Sequence, residues 1–358
     1  MAVAIEAVRQ RLLAQAAELW PQAPPQKIAV TKQIRRPYSL TFRLALLSER
    51  TPLAQNAPAV YAKIILPTAN NHNHLQKYVA RLQKEFEVAH LLQARMAGSP
   101  EFGVVRPVAH YGDLLCLVTA EASGAILADL IAASAKLWQS KDDLAQTELH
   151  CQRAGQLLAA LQTATPEPQL LEAHQLLEYV AIRLQRLTTS PEVPFSQADS
   201  DTVRKYLERT FAKIPAEQWR QCGCHSDFAP FNLLAAPERL TVFDFAMFQA
   251  GSTYNDAAYF CRRLESYLHK PTFSAPAIHA LQCAFLRGYN QARRRENCPI
   301  EQDLMFHIFS IKHVINNYSA IMRKRVVGPA ARLSLPVRWF NRRVFRRYNE
   351  WLVRACKH

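Results

Sequence analysis

A short segment in the second half of the chain constrains the fold more than any other feature. It runs His225-Ser-Asp227-Phe-Ala-Pro-Phe-Asn232, and Asp244-Phe-Ala246 follows twelve residues after Asn232. The apolar run 240–243 predicts a short strand that ends at Asp244. Two short loops can then direct an Asp, an Asn and a second Asp into one pocket, where their oxygens suit Mg²⁺ and a nucleoside triphosphate. The fold must therefore bring two loops together at the end of a strand.

A lysine inside an apolar strand provides the second constraint. Lys63 interrupts the run 59–66, and a charge there is costly unless it is paired or faces a ligand, although an edge-strand lysine can also reach water. In the predicted helix 75–96, Glu85 falls on the same apolar face as Leu82 when residues are stepped at about 100°. An acidic side chain on a buried face needs a cation. We therefore predict a Lys63–Glu85 ion pair that holds the ammonium near nucleotide phosphates.

These residues suggest roles in phosphoryl transfer. Asp227 is the candidate catalytic carboxylate, which would orient an acceptor hydroxyl and take its proton, and Asn232 and Asp244 are candidate Mg²⁺ ligands. Alternatively, Asp227 caps a turn and Asp244 merely ends a strand. His225 is assigned to structural support of the loop. A zinc site at Cys222-Gly-Cys224-His225 is not expected, because no second ligand pair follows at zinc spacing.

The predicted elements divide the chain into a small strand-rich part and a larger helical part, which is an α+β architecture. In the first part we predict helices over 4–20 and 75–96 and strands over 28–30, 39–46, 59–66, 103–110 and 114–119. In the second part we predict helices over 126–137, 142–163, 169–188, 199–213, 255–268, 275–294 and 301–322, with a strand-like break at 222–249.

The segments named above resemble the aminoglycoside phosphotransferase and choline kinase superfamily, which has the protein-kinase-like fold. The hallmark of that family reads His-Gly-Asp-x-x-x-x-Asn, then Asp-Phe-Gly or a variant, then Gly-Asp-Pro with an Asp three residues on. Residues 225–232, 244–246 and 251–258 of this chain follow the pattern. The chain departs from it at Ser226 and Ala246, which replace glycines, and at Gln162, where many members carry His.

The resemblance implies a two-lobed kinase that uses ATP and Mg²⁺. It implies that Asp256 supports the catalytic loop, that backbone near Ala120 and Ala122 hydrogen-bonds the adenine, and that Ser39 contacts a phosphate. The resemblance and the element pattern together predict an N-terminal lobe, a hinge, a C-terminal lobe with the catalytic and metal loops, and a basic tail; these span 1–117, 118–124, 125–320 and 321–358. The required residues are all present, which favours an active enzyme. The alternative is a catalytically weak nucleotide-binding partner in a membrane-associated assembly.

Positive charge is concentrated in the tail. The chain has 358 residues and a net charge of +15, and residues 321–358 hold eleven Lys or Arg against one Glu. Apolar side chains recur there at helical spacing, at Val337, Phe340, Val344, Tyr348, Trp351 and Leu352. Three interpretations stay open: a helix docked on the lobe, a helix that binds an anionic membrane surface, and contact with nucleic acid or another polyanion, which we favour least.

Charge and composition also bear on location and acceptor. No apolar run reaches the length of a membrane span, no secretory signal is evident, and the eight cysteines are scattered. We therefore expect a cytoplasmic protein, with peripheral contact to the inner membrane face as an option. The basic charge disfavours a polycationic antibiotic. A sugar, a lipid-linked sugar or another intermediate of cell-surface glycan biosynthesis is the predicted acceptor, and an aminoglycoside- or choline-type acceptor is the alternative.

Overall fold

The described chain divides into two compact units. The structure is a computed structural model that describes residues 2–49, 51, 57–67, 72–190, 193–323 and 335–357. The first unit comprises Met1–Leu127 with Phe231–Phe248, and the second comprises Ala128–Pro230 with Gln249–His358. We had placed 231–248 in the C-terminal lobe from its position in the chain, whereas its contacts group it with the first unit. The architecture is α+β, as predicted.

Eleven α-helices and twelve strands form over the described residues. The helices are α1 Ala2–Ala14, α2 Ala16–Leu19, α3 His72–Arg95, α4 Leu127–Ser134, α5 Lys141–Ala164, α6 Ala173–Thr188, α7 Gln197–Phe211, α8 Asn255–Glu265, α9 Ala275–Ala292, α10 Leu304–Met322 and α11 Leu335–Ala355. The strands are β1 Lys27–Arg36, β2 Ser39–Leu47, β3 Ala59–Ile65, β4 Phe102–Val104, β5 Pro107–Tyr111, β6 Cys116–Ala120, β7 Ala125–Ile126, β8 Pro166–Leu170, β9 Arg220–Cys224, β10 Leu233–Ala235, β11 Leu240–Val242 and β12 Gln249–Ser252.

The main sheet of the first unit is antiparallel, with strand order β1-β2-β3-β6-β5. Helix α1 packs its apolar side chains into the same core as this sheet, through Ile5, Val8 and Leu12. Full burial of such side chains contributes about 1.5–3 kcal/mol each. The predicted helix 4–20 is interrupted after Ala14 and continues as the short α2.

A second sheet in the first unit carries two candidate site residues. Its order is β4-β11-β10-β7, with β11 parallel to β4 and antiparallel to β10. The predicted strand 103–110 is therefore two strands, because β4 joins this sheet while β5 joins the main one. In the β10–β11 hairpin Leu233 pairs with Val242. The hairpin consequently brings the residues just outside that pair, Asn232 and Phe243, face to face, and Asp244 follows directly.

The second unit is mainly helical and contains one three-stranded antiparallel sheet, with order β12-β9-β8. The predicted helix 169–188 begins only at Ala173, because residues 166–170 pair with β9 as a strand. Helices α5 and α9 approach each other closely at two glycines. A Cβ on Gly155 would overlap the Phe285 carbonyl oxygen, and a Cβ on Gly288 would overlap that of Gln152.

The C-terminal helix α11 belongs to the second unit and packs most of its apolar stripe there, although Val337 at the start of the stripe is 38% exposed. Val344, Phe345, Tyr348 and Leu352 are at most 7% exposed. The Tyr318 ring lies 5.4 Å from that of Phe345 and 5.5 Å from that of Tyr348. Of the three interpretations of the tail, the structure shows the docked helix; residues 324–334 and 358 of the tail lie outside the described residues. Over the described chain, no helix combines the length and apolar character that a bilayer crossing needs.

We expect Gly155→Ala to lower the free energy of unfolding by about 2 kcal/mol or more, because a methyl group there forces two packed helix backbones apart. Gly288→Ala should have a similar effect. Gly98→Ala is the control, since a Cβ there meets nothing within 4 Å. Urea denaturation of the three variants measures this. Equal stability of Gly155→Ala and Gly98→Ala would contradict the predicted close approach.

Candidate functional site

A half-buried lysine in the first unit contacts two carboxylates. Lys63 Nζ lies 3.1 Å from Glu85 Oε1 and 2.9 Å from Asp244 Oδ1. The ion pair that we predicted between Lys63 and Glu85 is therefore present. Its extension to Asp244, which is 181 residues from Lys63 in the chain, was not predicted. Three sequence segments thus meet at one ammonium group.

Local structure explains why these side chains converge. On β3 the neighbours Ala62 and Ile64 point into the core, so strand alternation turns Lys63 to the opposite face. On α3 Glu85 is 4% exposed. Arg81, one turn earlier on α3, donates from Nε to the Ala246 carbonyl oxygen at 3.1 Å. That bond ties α3 to the backbone just after Asp244.

Burial and charge act against each other on the acids and the ammonium of this cluster. Burial acts to lower the pKa of Lys63, but the carboxylates of Glu85 and Asp244 outweigh it and hold that pKa above its ordinary value. Burial raises the pKa of Glu85 to about 7, against the opposing effect of Lys63. When both acids are ionised, two carboxylates share one ammonium. The Arg81 guanidinium adds positive charge nearby and, like Lys63, acts to lower the pKa of Glu85.

Asn232 and Asp244 have the chemistry expected of Mg²⁺ ligands. Both supply hard oxygen donors, and the hairpin register places them at the same end of β10 and β11, with the Phe243 N–H donating to the Asn232 carbonyl at 3.1 Å. Asp244 has φ 68°, in the left-handed region. Asp tolerates that region better than most residues, at a cost of about 1–3 kcal/mol. The residues present therefore fit a divalent cation.

The catalytic-loop candidates lie in the second unit, where Asp256 holds the loop backbone. The fully buried Asp256 accepts hydrogen bonds from the His225 N–H at 2.7 Å and the Ser226 N–H at 2.9 Å. Burial raises the pKa of Asp256, opposed mainly by His225 and by these N–H donors. His225 Nδ1 in turn accepts from the Asp227 N–H at 3.3 Å. These hydrogen bonds support the prediction that both residues brace the loop, and that role stays a prediction.

Two polar residues near the loop make contacts that the sequence did not reveal. The Tyr259 hydroxyl donates to Asp227 Oδ1 at 2.7 Å. Gln162 donates to the Thr253 carbonyl at 2.8 Å and accepts from the Tyr289 hydroxyl at 2.7 Å. The only sequence signal for Tyr259 was its helical spacing from Asp256, three residues earlier on α8.

The remaining predicted site residues lie at strand ends of the first unit. Ser39 begins β2 after a two-residue turn and is half-buried, and Ala120 ends β6. The Ala120 N–H already donates to the Arg106 carbonyl at 2.8 Å. Phosphate contact by Ser39 and adenine contact near Ala120 and Ala122 stay predictions. Around Cys222, as elsewhere in the described residues, no group of three His, Cys, Asp or Glu could hold a metal ion.

We expect Ser226→Gly to raise the free energy of unfolding by about 1 kcal/mol. Ser226 has φ 62°, which costs a residue with a Cβ about 1–2 kcal/mol, and its buried hydroxyl finds no hydrogen-bond partner among the described residues. Ser226→Ala separates the two effects, because it removes the hydroxyl but keeps the strained backbone. Thermal denaturation compares them. The left-handed geometry would be contradicted if glycine were no more stable than alanine.

The fold is similar to those of solved phosphotransferases. A protein from Ralstonia eutropha JMP134 assigned to the aminoglycoside phosphotransferases superposes with a TM-score of 0.63 at 17% identity, covering 97% of this chain and 98% of that one. A choline kinase from Cryptosporidium parvum Iowa II gives a TM-score of 0.57 at 11% identity, covering 98% and 95%. An amicoumacin kinase in complex with AMP-PNP and Ca²⁺ gives a TM-score of 0.54 at 14% identity, covering 98% and 96%.

These similarities confirm the predicted kinase-like fold. No curated protein matches the sequence. The model of the phosphotransferase enzyme family matches residues 26–296, which is most of the chain and includes every site residue discussed above. Because this family model covers most of the chain, the chain belongs to the phosphotransferase enzyme family.

Proposed function

We propose that the protein transfers the γ-phosphoryl group of ATP, with Mg²⁺, to a hydroxyl group of a small molecule. The observation that carries this proposal is the Lys63 ammonium held by both Glu85 and Asp244. In phosphotransferases of kinase-like fold, an ammonium fixed by a helix carboxylate pairs with nucleotide phosphates. An ion pair that served stability alone would need neither the second carboxylate nor its left-handed backbone.

Each residue then has a defined task. Lys63 binds phosphate oxygens, Glu85 orients Lys63, and Asn232 with Asp244 would hold Mg²⁺. Bound Mg²⁺ supplies positive charge that offsets the charge developing on the phosphate oxygens. Asp227 orients the acceptor hydroxyl and takes its proton as the new O–P bond forms and ADP leaves.

We further propose that the acceptor is a sugar or a glycan intermediate, including a lipid-linked sugar. Two cationic side chains of the second unit lie near residues of α8, the helix that carries Asp256 and Tyr259. Arg263 lies 6.0 Å from the Tyr259 ring centroid. Lys312 donates to Asn255 Oδ1 at 2.5 Å, and within the described chain no carboxylate lies within ion-pair distance of it. This surrounding charge suits a neutral or anionic acceptor better than a polycationic antibiotic.

We expect Asp227→Ala to lower kcat at least 100-fold, because a positioned general base contributes about 10²–10⁴-fold. The measurement is acceptor-dependent ADP formation from Mg-ATP, with sugars, lipid-linked sugars, choline and aminoglycosides as acceptors. Asp142→Ala is the control, since Asp142 is exposed on the first turn of α5. Unchanged transfer to every acceptor in Asp227→Ala would refute the catalytic assignment. Turnover with aminoglycosides alone would refute the glycan proposal and leave the phosphotransferase proposal standing.

We propose, as a separate point, that the exposed face of α11 contacts an anionic membrane surface. Its apolar stripe is buried in the second unit, so the contact would be electrostatic. Arg342, Arg343 and Arg346 are exposed, and Trp339, 64% exposed, lies beside Arg343 at 5.8 Å. Exposed Trp beside Arg is typical of residues at a lipid headgroup region.

Reversal of the three exposed arginines, Arg342→Glu with Arg343→Glu and Arg346→Glu, should weaken binding to vesicles at least tenfold, since each basic residue near an anionic surface contributes about 1 kcal/mol. The vesicles contain phosphatidylcholine with roughly one-third phosphatidylglycerol, and co-sedimentation measures binding. Truncation is avoided because it would expose the buried stripe. The control, Lys205→Glu with Arg209→Glu and Lys213→Glu, makes the same change in net charge on exposed residues at α7. Equal loss in both variants would contradict a specific role for α11.

A further inference from the structure

We infer that Tyr259 is a positioning residue that sets the orientation of the Asp227 carboxylate. The inference rests on the proposed function, in which Asp227 accepts the proton of the acceptor hydroxyl. Its basis is the O–H···O hydrogen bond from Tyr259 to Asp227 Oδ1, at 2.7 Å. A phenol that donates to a carboxylate at this distance forms a charge-assisted hydrogen bond, which is about twice as strong as a neutral one.

One end of α8 supplies both the backbone and the side-chain support of the catalytic loop. Asp256 holds the loop backbone through the N–H groups of His225 and Ser226. Tyr259, almost one turn further along the helix, holds the side chain of Asp227. The two contacts therefore fix different degrees of freedom: Asp256 fixes where the loop runs, and Tyr259 fixes how its carboxylate is turned.

Tyr259 is itself held in place. Its ring lies 5.1 Å from that of His313, at an interplanar angle of 54°. His313 is buried, and its Nε2 is paired with the Asn255 carbonyl oxygen at 2.9 Å. Asn255 is the first residue of α8, so His313 is anchored to the same helix that carries Tyr259. Burial, and then the Asp227 carboxylate, raise the pKa of Tyr259 above its ordinary value. The phenol therefore stays protonated, and remains a donor, throughout the pH range in which a kinase works.

The chemical consequence concerns kcat rather than nucleotide binding. During transfer the acceptor oxygen forms its bond to the γ-phosphorus, the bond to the ADP oxygen breaks, and the acceptor proton passes to Asp227. A carboxylate that could rotate would spend only part of its time facing that proton. Tyr259 restricts the rotation, so its loss should slow proton transfer while leaving the groups that bind nucleotide unchanged.

The test is Tyr259→Phe, which removes the hydroxyl and keeps the ring. We expect kcat to fall about tenfold with the KM for Mg-ATP unchanged, the size expected when one hydrogen bond to a charged group is lost. Phosphate release from Mg-ATP with water as acceptor serves as the assay, and the assay is repeated with any acceptor found in the screen. The matched control is Tyr254→Phe, because Tyr254 also donates to a carboxylate at 2.7 Å, but to Asp303, away from the catalytic loop.

The outcomes separate this inference from the proposed function. Loss of kcat in Tyr259→Phe but not in Tyr254→Phe supports it. Full kcat in Tyr259→Phe, or equal losses in both variants, overturns it. If Asp227→Ala is inactive while Tyr259→Phe is fully active, only the positioning role fails; if Asp227→Ala is fully active, the proposed function fails. A crystal structure of Tyr259→Phe gives a second readout that needs no activity: an Asp227 carboxylate in an unchanged rotamer would also overturn the inference.

Discussion

The ammonium of Lys63 is the interaction on which the first unit depends. It lies within hydrogen-bonding distance of Glu85 on α3 and of Asp244 after β11, so one charge joins the main sheet, the long helix and the second sheet. Such a group is expensive to bury alone, and removal of one partner would leave an uncompensated charge. Arg81, one turn before Glu85 on α3, adds a second positive charge near this pair and ties the helix to the backbone after Asp244.

In the second unit, hydrogen bonds from helix α8 fix the short loop that contains Asp227. Helix α8 begins with a buried acid whose two oxygens each accept a loop N–H, and its next turn carries the tyrosine that contacts Asp227. The loop contains a strained residue, Ser226, with φ 62°. Local backbone strain of this kind persists only where the surrounding contacts determine the conformation.

Helix α11 shows how one sequence pattern can support several interpretations. Its aromatic stripe and its arginines are both evident in the sequence, and the stripe alone fits a membrane, a partner or the chain's own core equally well. The structure shows which of these surfaces the stripe contacts: Phe345, Tyr348 and Leu352 pack against other residues of the second unit. The arginine face is left exposed. What remains available for an anionic surface is therefore charge, together with the exposed Val337 and Trp339 near the start of the helix.

The sequence by itself determined the α+β class and the family, and it predicted the Lys63–Glu85 ion pair, because strand alternation, helical spacing and short motifs are local properties. It predicted one strand over 103–110 where the structure has two, since which sheet a strand joins depends on partners far along the chain. Tertiary structure alone decided that Asp244 shares the Lys63 ammonium and that Tyr259 reaches Asp227. Both contacts bridge segments whose separation no local pattern encodes, and they form only when packed elements bring buried polar groups together to satisfy one another.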